Sequence, residues 1–308
     1  MKTLYLNPVL TGVATRFLAT LPLVGTKLFP VFNTQIHAAQ YYVYNTSNFT
    51  DIPTDIRRAP STGFKRVTSK LSDDTFLAKD YGIEEAIDKM EMQMYASVFD
   101  ADKTAMERGV RIVALNHEIR VRDRVRALTQ TATPTVKWDA ANTTIVKDVQ
   151  NAKNVIYAAT GQEPNLMTMS REVYNALIEA AELKAYFSNV QGGILTRKNL
   201  EAIFQVEEIV VAGDLINNAA EGQAASLGGI WSDEVVLSIS RPSQDLKALN
   251  LGRTFNWTAL QGSGTKGIST FSYDQNEIDS RVVRARQFTD ERVVAEGAGF
   301  YLYNVLTA

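Results

Sequence analysis

The sequence contains no cysteine, which excludes disulfides, thiolate nucleophiles and cysteine-ligated metal and fits a chain folded in reducing cytosol. It has only two histidines, His37 and His117, and neither lies at metal-ligand spacing from the other. Excess charge is also small, since 32 Lys and Arg against 34 Asp and Glu leave a formal net charge of -2. A dedicated nucleic-acid binder needs clustered cations, so any contact with nucleic acid is expected to be weak and non-specific.

Long apolar runs are absent too. A helix that spans a membrane needs about 18 or more consecutive apolar residues. The apolar stretch 9–32 is interrupted by Arg16, Pro22, Lys27 and Pro30. The sequence therefore predicts no membrane anchor and no secretory signal.

A chain of 308 residues with 45% hydrophobic content is long enough for two intergrown domains. The N-terminal quarter, however, is predicted to have no core of its own. Residues 1–40 alternate short apolar groups with Pro and Gly, which predicts a surface arm that needs a neighbour to bury it. Residues 41–80 hold strand-like runs at 41–44, 64–67 and 75–78 around a polar tip. These runs predict an extended β-hairpin.

A helical period follows over residues 83–128. Its first part is marked by Ile83, Ile87, Met90 and Met94. After an N-cap region at residues 100–102, the pattern resumes from Ala105 to Val125 and predicts a helix of roughly 26 residues, about 40 Å long.

The central segment, residues 145–250, alternates helices and strands. A helix is predicted over about 144–159, ending at Gly161. The next elements are a strand at 165–170, a helix ending near 187, a turn at 191–193, a short helix at 200–204, a strand at 209–212, a Gly/Asn/Ala-rich loop at 217–229 and a strand at 235–239. The tail is predicted to be β, with strands at 254–258, 268–273, 280–286 and 299–306.

The one motif with catalytic precedent is the spacing G-x-G-x-x-G at residues 262–267. A dinucleotide site needs a helix after that loop, whose N-terminus faces the pyrophosphate. Here a strand is predicted to follow, so the favoured interpretation is a hairpin loop. No G-x-S-x-G elbow accompanies a Ser-His-Asp set.

Charged residues at regular spacing have structural explanations. The carboxylate pairs Asp73-Asp74, Glu84-Glu85 and Asp100/Asp102 suit caps and solvated faces. Glu118 follows His117, but adjacent helical positions point about 100° apart and suit shared metal ligation poorly. We therefore assign no catalytic, cofactor-binding or metal-binding residue, and predict that the chain is not an enzyme.

Four arginines alternate near the end of the long predicted helix, namely Arg120, Arg122, Arg124 and Arg126. On a helix they fan around much of its circumference. The favoured interpretation is ion pairing with Asp123, Glu118 and acids on neighbouring chains. The alternative is that some face packaged DNA or bridge subunits.

The order of these elements resembles the HK97-like fold of tailed-bacteriophage major capsid proteins. The most specific stretches are 105–126, 165–177 and 206–231. The resemblance implies an α+β fold, and it divides the chain into an N-terminal arm (1–40), an extended loop (41–80), a peripheral domain with a spine helix (81–144), an α/β axial domain (145–250) and a return to the peripheral β-sheet (251–308).

The resemblance implies a structural function. Copies of the chain would form hexamers and pentamers in an icosahedral shell that encloses phage double-stranded DNA. The chain would be assembled in the host cytoplasm and end in the virion. Expected partners are a separate scaffolding protein, since no helical charged segment precedes the arm, together with a portal and decoration proteins. No cofactor is implied.

Two alternatives stay open. An encapsulin-like compartment shell shares the fold but encloses a protein cargo. A soluble α/β enzyme would instead use the axial segment as a catalytic domain, and it would need a pocket with convergent titratable groups.

Overall fold

The structure is a computed structural model of the chain. It describes residues 8–43, 56–66, 72–95, 100–187, 195–220, 222–259 and 267–307.

The N-terminal segment packs on its own chain. Helices α1 (Pro8–Thr20) and α2 (Gly25–Leu28) are followed by strand β1 (Val31–Thr34). Their large buried apolar residues include Leu18, Val24, Leu28 and Phe29, and Ala14 is buried beside them. The prediction that the arm needs a neighbour to bury it is therefore wrong for residues 8–34.

The extended hairpin is confirmed at its base. Strands β2 (Ala38–Val43) and β3 (Ser72–Leu77) pair antiparallel. Phe76 stacks on Phe255 with ring centroids 4.3 Å apart, which anchors the base to the body. Residues 64–66 form no strand, contrary to prediction, while residues 44–55 and 67–71 lie outside the described part.

The predicted helix that begins at Ile83 is wrong over its first half. Lys79–Asp88 is strand β4, paired antiparallel with β13 (Ser280–Val293), and Lys89–Tyr95 is helical, as α3. Positions 83 and 87 are four apart, so they share a face of a strand as well as of a helix. The long-range pairing with β13 decides between the two.

The long helix α4 (Ala101–Arg126) is confirmed at 26 residues. Asp100 is its N-cap and accepts a hydrogen bond from Lys103 N at 3.2 Å. Its first half packs in a core with α1 and the β4/β13 sheet, whereas Val121 and Val125 belong to the core of the central segment. One rigid element therefore joins two cores.

The first sheet surrounds β13. Strands β11 (Gly252–Trp257) and β12 (Ile268–Gln275) both pair antiparallel with β13, and β1 pairs parallel with β11. Because β11 and β12 pair with β13 and not with each other, the loop between them is not a hairpin loop, and that prediction is wrong. The hairpin connection joins β12 to β13 through Asn276–Ile278.

The second sheet carries the central segment in the order β5-β14-β10-β6-β7. Its strands are β5 (Thr131–Ala132), β6 (Leu166–Ser170), β7 (Glu208–Ala212), β10 (Val235–Ser238) and β14 (Gly299–Leu302). Strand β14 was predicted to join the first sheet with the other strands of the tail, but it pairs with β10. The end of the tail thus returns to the central core.

The helices of the central segment cover this sheet. They are α5 (Ile145–Thr160), α6 (Arg171–Glu179), α7 (Ala181–Phe187) and α8 (Arg197–Phe204). Helix α5 ends at Gly161 as predicted, with φ of 72° in the left-handed region that glycine favours. The single helix predicted to end near residue 187 is two, because Ala180 leaves helical geometry with ψ of 125°. The predicted loop 217–229 includes the two-stranded pair β8 (Leu215–Asn217) and β9 (Leu227–Gly229).

Candidate functional site along the long helix

The two histidines lie in different surroundings. His37 meets Trp257 edge-on, with ring centroids 4.8 Å apart, at the base of the hairpin. His117 is buried on α4, and its Nε2 lies 3.1 Å from Thr254 Oγ1 and 3.6 Å from Glu291 Oε1. Both therefore have partners that a structural role explains.

Arg120 ties the long helix to the first sheet. Its guanidinium donates to both carboxylate oxygens of Glu291, at 2.9 and 3.0 Å, and lies 3.6 Å from the ring centroid of Tyr81. Burial alone would raise the pKa of Glu291, but the hydrogen bonds and positive charge of Arg120, with smaller contributions from His117 and Thr289, outweigh it and lower that pKa. The carboxylate stays ionised, and a buried bidentate pair of this kind fixes geometry.

Glu118 joins three segments of the chain. Its Oε1 accepts from Val24 N at 3.1 Å and from Trp231 Nε1 at 2.7 Å, while Oε2 accepts from Gly25 N at 2.7 Å. The donors belong to the start of α2 and to the segment before β10, so one carboxylate holds the N-terminal segment and the central segment on the long helix. We call Glu118, Val24, Gly25 and Trp231 the Glu118 junction.

Gly25 is required for this contact. A Cβ at position 25 would lie 2.7 Å from Glu118 Oε2, closer than real Cβ contacts allow. Any larger residue would push the carboxylate away from the two backbone N–H groups.

The chemistry of the junction is that of a buried structural acceptor. Desolvation raises the pKa of Glu118, and the hydrogen bonds from Trp231, Gly25 and Val24 only partly oppose it. The residue is 1% exposed. A general base must come within hydrogen-bond reach of a substrate, and this buried carboxylate faces donors of its own chain.

Two other arginines of the predicted set, Arg122 and Arg126, have separate partners. Arg122 pairs with Asp123 at 2.7 Å, as predicted, and Arg126 pairs with Glu234. The predicted ion pair with Glu118 is wrong, because that carboxylate accepts from N–H donors of other segments. Arg124 is exposed, and its pairing with a neighbouring chain stays a prediction.

The carboxylate pairs are engaged in caps and ion pairs. Asp102 pairs with Arg281 at 2.8 Å, and Glu84 pairs with Arg284. Asp74 accepts from the Tyr41 hydroxyl at 2.9 Å. Within the described residues, no cluster of three or more His, Asp or Glu side chains is placed to hold a metal ion.

The glycine-rich motif provides no helix N-terminus. Residues 262–266 lie outside the described part, but Gly267 leads directly into strand β12. The prediction that a strand follows the motif is confirmed, and with it the mismatch to a dinucleotide-binding turn.

One surface groove of the described residues gathers few reactive groups. A groove of about 660 Å³ is lined by Gln162, Glu163, Pro164, Gln205, Val206, Glu207 and Arg241. Its Glu163 is paired with the buried Lys153 at 2.9 Å. None of the described helices combines the length and the apolar character needed to cross a membrane.

Sequence reasoning missed the partners that make these contacts. Gly25 and Trp231 are 93 and 113 residues from Glu118, and Tyr81 lies on a strand that was predicted to be helical from Ile83 onward. The residue type alone does not distinguish Glu118 from a solvent-facing glutamate. Only its flanking apolar residues, which place it on a buried helix face, are a signal.

Comparisons with known proteins agree with this architecture. No family model matches the chain. It is similar to the major capsid protein of Burkholderia phage BcepMu, with 24% identity over 245 residues that cover 77% of each chain.

Solved structures share the fold over nearly the whole chain. A phage-related protein from Bordetella bronchiseptica has 20% identity and a TM-score of 0.76, with 100% of both chains covered. The virus-like particle from Pyrococcus furiosus has 11% identity and a TM-score of 0.58, covering 95% of this chain and 97% of that one. The capsid of Cyanophage P-SCSP1u has 10% identity and a TM-score of 0.58, covering 92% and 89%. The chain therefore has the HK97-like fold of tailed-bacteriophage major capsid proteins that its sequence predicted.

Proposed function

We propose that the chain is the structural subunit of a phage capsid, which assembles through hexamers and pentamers into an icosahedral shell around double-stranded DNA. The observation that carries the proposal is the sequence similarity to a phage major capsid protein over 77% of both chains. The fold shared with capsid structures supports it independently.

The contacts of the long helix suit a structural role. Its polar side chains connect segments of the chain to one another, and none of those described above faces a substrate cleft. Glu118 and Arg120 each bind two separate segments. A subunit that must keep its shape in a repeated lattice needs hydrogen bonds and ion pairs that hold its segments together.

The finer parts of the proposal rest on the likeness to capsid proteins. We place the axial domain at 145–250 together with strands β5 and β14, and the peripheral domain at the rest of 81–144 and 251–308. The N-terminal arm is 1–40, packed on its own subunit over residues 8–34, and the extended loop is 41–80. Contact with packaged DNA would be weak, because the formal net charge is -2. Assembly in host cytoplasm, a separate scaffolding protein, a portal and decoration proteins complete the proposal.

A second candidate is a shell that encloses a protein cargo. The likeness to the virus-like particle from Pyrococcus furiosus over 95% of this chain favours keeping it. The two candidates differ in what the particle contains.

Electron microscopy of the purified protein tests the proposal, after expression alone and with its neighbouring genes. Closed icosahedral shells are expected, and nuclease-protected DNA inside particles from infected or induced cells would identify a phage capsid. Shells filled with one protein species and free of DNA would favour the second candidate. A monodisperse monomer under every condition would contradict both.

A further inference from the structure

The first sheet ends at strand β1, which has a free edge. Among the described strands, β1 pairs only with β11. Thr258 N donates to Thr34 O at 2.9 Å, so Thr34 faces β11. Because successive residues of a strand direct their N–H and C=O groups to opposite sides, Asn33 and Val31 direct theirs to the free edge.

The side-chain amide of Gln244 occupies this edge. Its Nε2 donates to Val31 O at 3.0 Å, and its Oε1 accepts from Asn33 N at 3.1 Å. A residue of a parallel neighbouring strand makes the same two bonds with its backbone N–H and C=O. Gln244 therefore takes the place of one strand residue, and we call its amide the edge cap.

The loop that carries the edge cap is held by a buried arginine. Arg253 is 0% exposed and belongs to β11, the strand beside β1. Its guanidinium donates to the backbone carbonyls of Ser243 at 2.7 Å, of Ala248 at 3.1 Å and of Asp245. A guanidinium is costly to remove from water unless its donors are bonded, so these bonds hold the loop 241–250 in one conformation. The edge cap is thus in place before any partner arrives.

The composition of β1 explains why its edge needs a cap. Exposed strand edges are templates for pairing with other chains, and proteins block them with charges, proline or covering segments. Strand β4, another margin of this sheet, has five charged side chains among its ten residues, whereas β1 has none. Beside Val31 lies a groove of about 560 Å³, which has room for the side chain of an added strand.

We propose that the edge cap of Gln244 prevents two copies of the chain from pairing through their β1 strands. Without the amide, Val31 O and Asn33 N are left open at the surface, and the β1 edge of a second copy provides a donor and an acceptor of the same kind. A second copy is the favoured partner because β1 is uncharged, so two such strands do not repel each other. This inference goes beyond the proposed function and does not depend on it.

Self-association of the chain tests the proposal. The experiment is sedimentation velocity over a concentration series, in the most dissociated state that the wild type adopts without denaturant. Gln244→Ala is expected to associate about tenfold more strongly than the wild type, a factor that corresponds to about 1.4 kcal/mol, because the two hydrogen bonds of the edge cap no longer compete with pairing. The matched control is Gln223→Ala, at an exposed glutamine in the loop between β8 and β9, which should behave as the wild type.

Two further variants separate an open edge from a damaged loop. Gln244→Lys loses the same amide but places a charge at the edge, which opposes strand pairing, so it should stay as dissociated as the wild type. Val31→Pro added to Gln244→Ala removes an N–H that faces the free edge and keeps the bonds to β11. This double variant is expected to restore the wild-type behaviour.

Several results would overturn the edge cap. One is equal association of Gln244→Ala and the wild type. Another is association of Gln244→Lys as strong as that of Gln244→Ala, because a disturbed loop would then be the cause. Persistent association after Val31→Pro is added would assign the contact to a different surface.

Folding and shell formation are followed separately. If Gln244→Ala does not fold, as judged by tryptophan fluorescence, Gln244→Met replaces it in the same series, since methionine keeps the length of the side chain without the amide. A wild-type chain that never forms shells contradicts the proposed function and leaves the comparison of these variants unchanged. Wild-type shells together with a dissociated Gln244→Ala contradict only the edge cap.

Discussion

Replacement of Glu118 by glutamine is expected to weaken the subunit by about 1–3 kcal/mol, the cost of one buried donor without an acceptor. The change preserves shape and removes one acceptor oxygen. If the amide oxygen takes the place of Oε1, it keeps Val24 N and Trp231 Nε1 as donors, but the amide NH₂ then faces Gly25 N–H. The opposite orientation loses two donors, so the first is preferred and one unsatisfied donor remains.

The pH dependence of this loss has a definite sign. Because the pKa of Glu118 is raised in the folded state, the folded protein binds a proton more readily than the unfolded chain. The wild type therefore gains stability from this group as pH falls from neutral toward the ordinary glutamate value, and loses it as pH rises. Glutamine cannot titrate, so the deficit of Glu118→Gln relative to wild type should be larger at pH 5 than at pH 8.

The assay is urea unfolding of the unassembled subunit, followed by tryptophan fluorescence at both pH values. Glu107→Gln is the matched control, since Glu107 lies on the same helix and forms only a loose pair with Lys103, with 3.9 Å between charged atoms. A surface pair of this kind contributes at most about 0.5 kcal/mol. Equal midpoints for the two variants would refute the reasoning, and so would a Glu118→Gln deficit that shrinks at pH 5.

Three other substitutions test neighbouring contacts by the same unfolding assay. Gly25→Ala should destabilise the subunit by about 1–3 kcal/mol, because its Cβ would overpack against the Glu118 carboxylate. Gly12→Ala on α1 meets no atom within 4 Å and should be neutral or stabilising by up to about 1 kcal/mol; equal effects at the two glycines would contradict the overpacking argument. Arg120→Ala leaves Glu291 buried and without its bidentate partner and should cost about 3–5 kcal/mol, and a loss below about 1 kcal/mol would show that water replaces the guanidinium. Because the pKa of Glu291 is lowered in the folded state, its contribution to stability is present above the ordinary glutamate pKa and is lost as pH falls below it. The free energy of unfolding of Arg120→Ala should therefore fall less steeply at acid pH than that of the wild type.

Elements that rest on local signals were predicted well. The long helix begins after its Asp100 cap and runs for the predicted length, since the cap and the apolar spacing are both local. Helix α5 ends at Gly161 for the same reason. The order of strands and helices in the central segment also followed from local patterns, and this order carried the resemblance to capsid proteins.

Elements that depend on distant partners were predicted poorly. The spacing of Ile83 and Ile87 fits both a helix and a strand. Pairing with β13, about 200 residues away, makes this segment a strand. The last strand has the same β-rich composition as the rest of the tail, but it pairs with Val235–Ser238 and therefore belongs to the second sheet. The N-terminal segment looked coreless because its buried contacts are made with residues that lie far along the chain.

The contacts of the last turns of the long helix set how the two cores are oriented. Apolar packing at Val121 and Val125 is not directional and by itself tolerates small rotations of one core against the other. Hydrogen bonds are directional, and three of them join this part of the helix to the segment before β10. They run from Trp231 Nε1 to Glu118, from Arg122 to Ile230 O at 3.4 Å, and from Arg126 to Glu234. Substitutions that remove these bonds should therefore alter the angle between the cores while each core keeps its own packing, and a shell built from such subunits would differ in curvature before it differed in subunit fold.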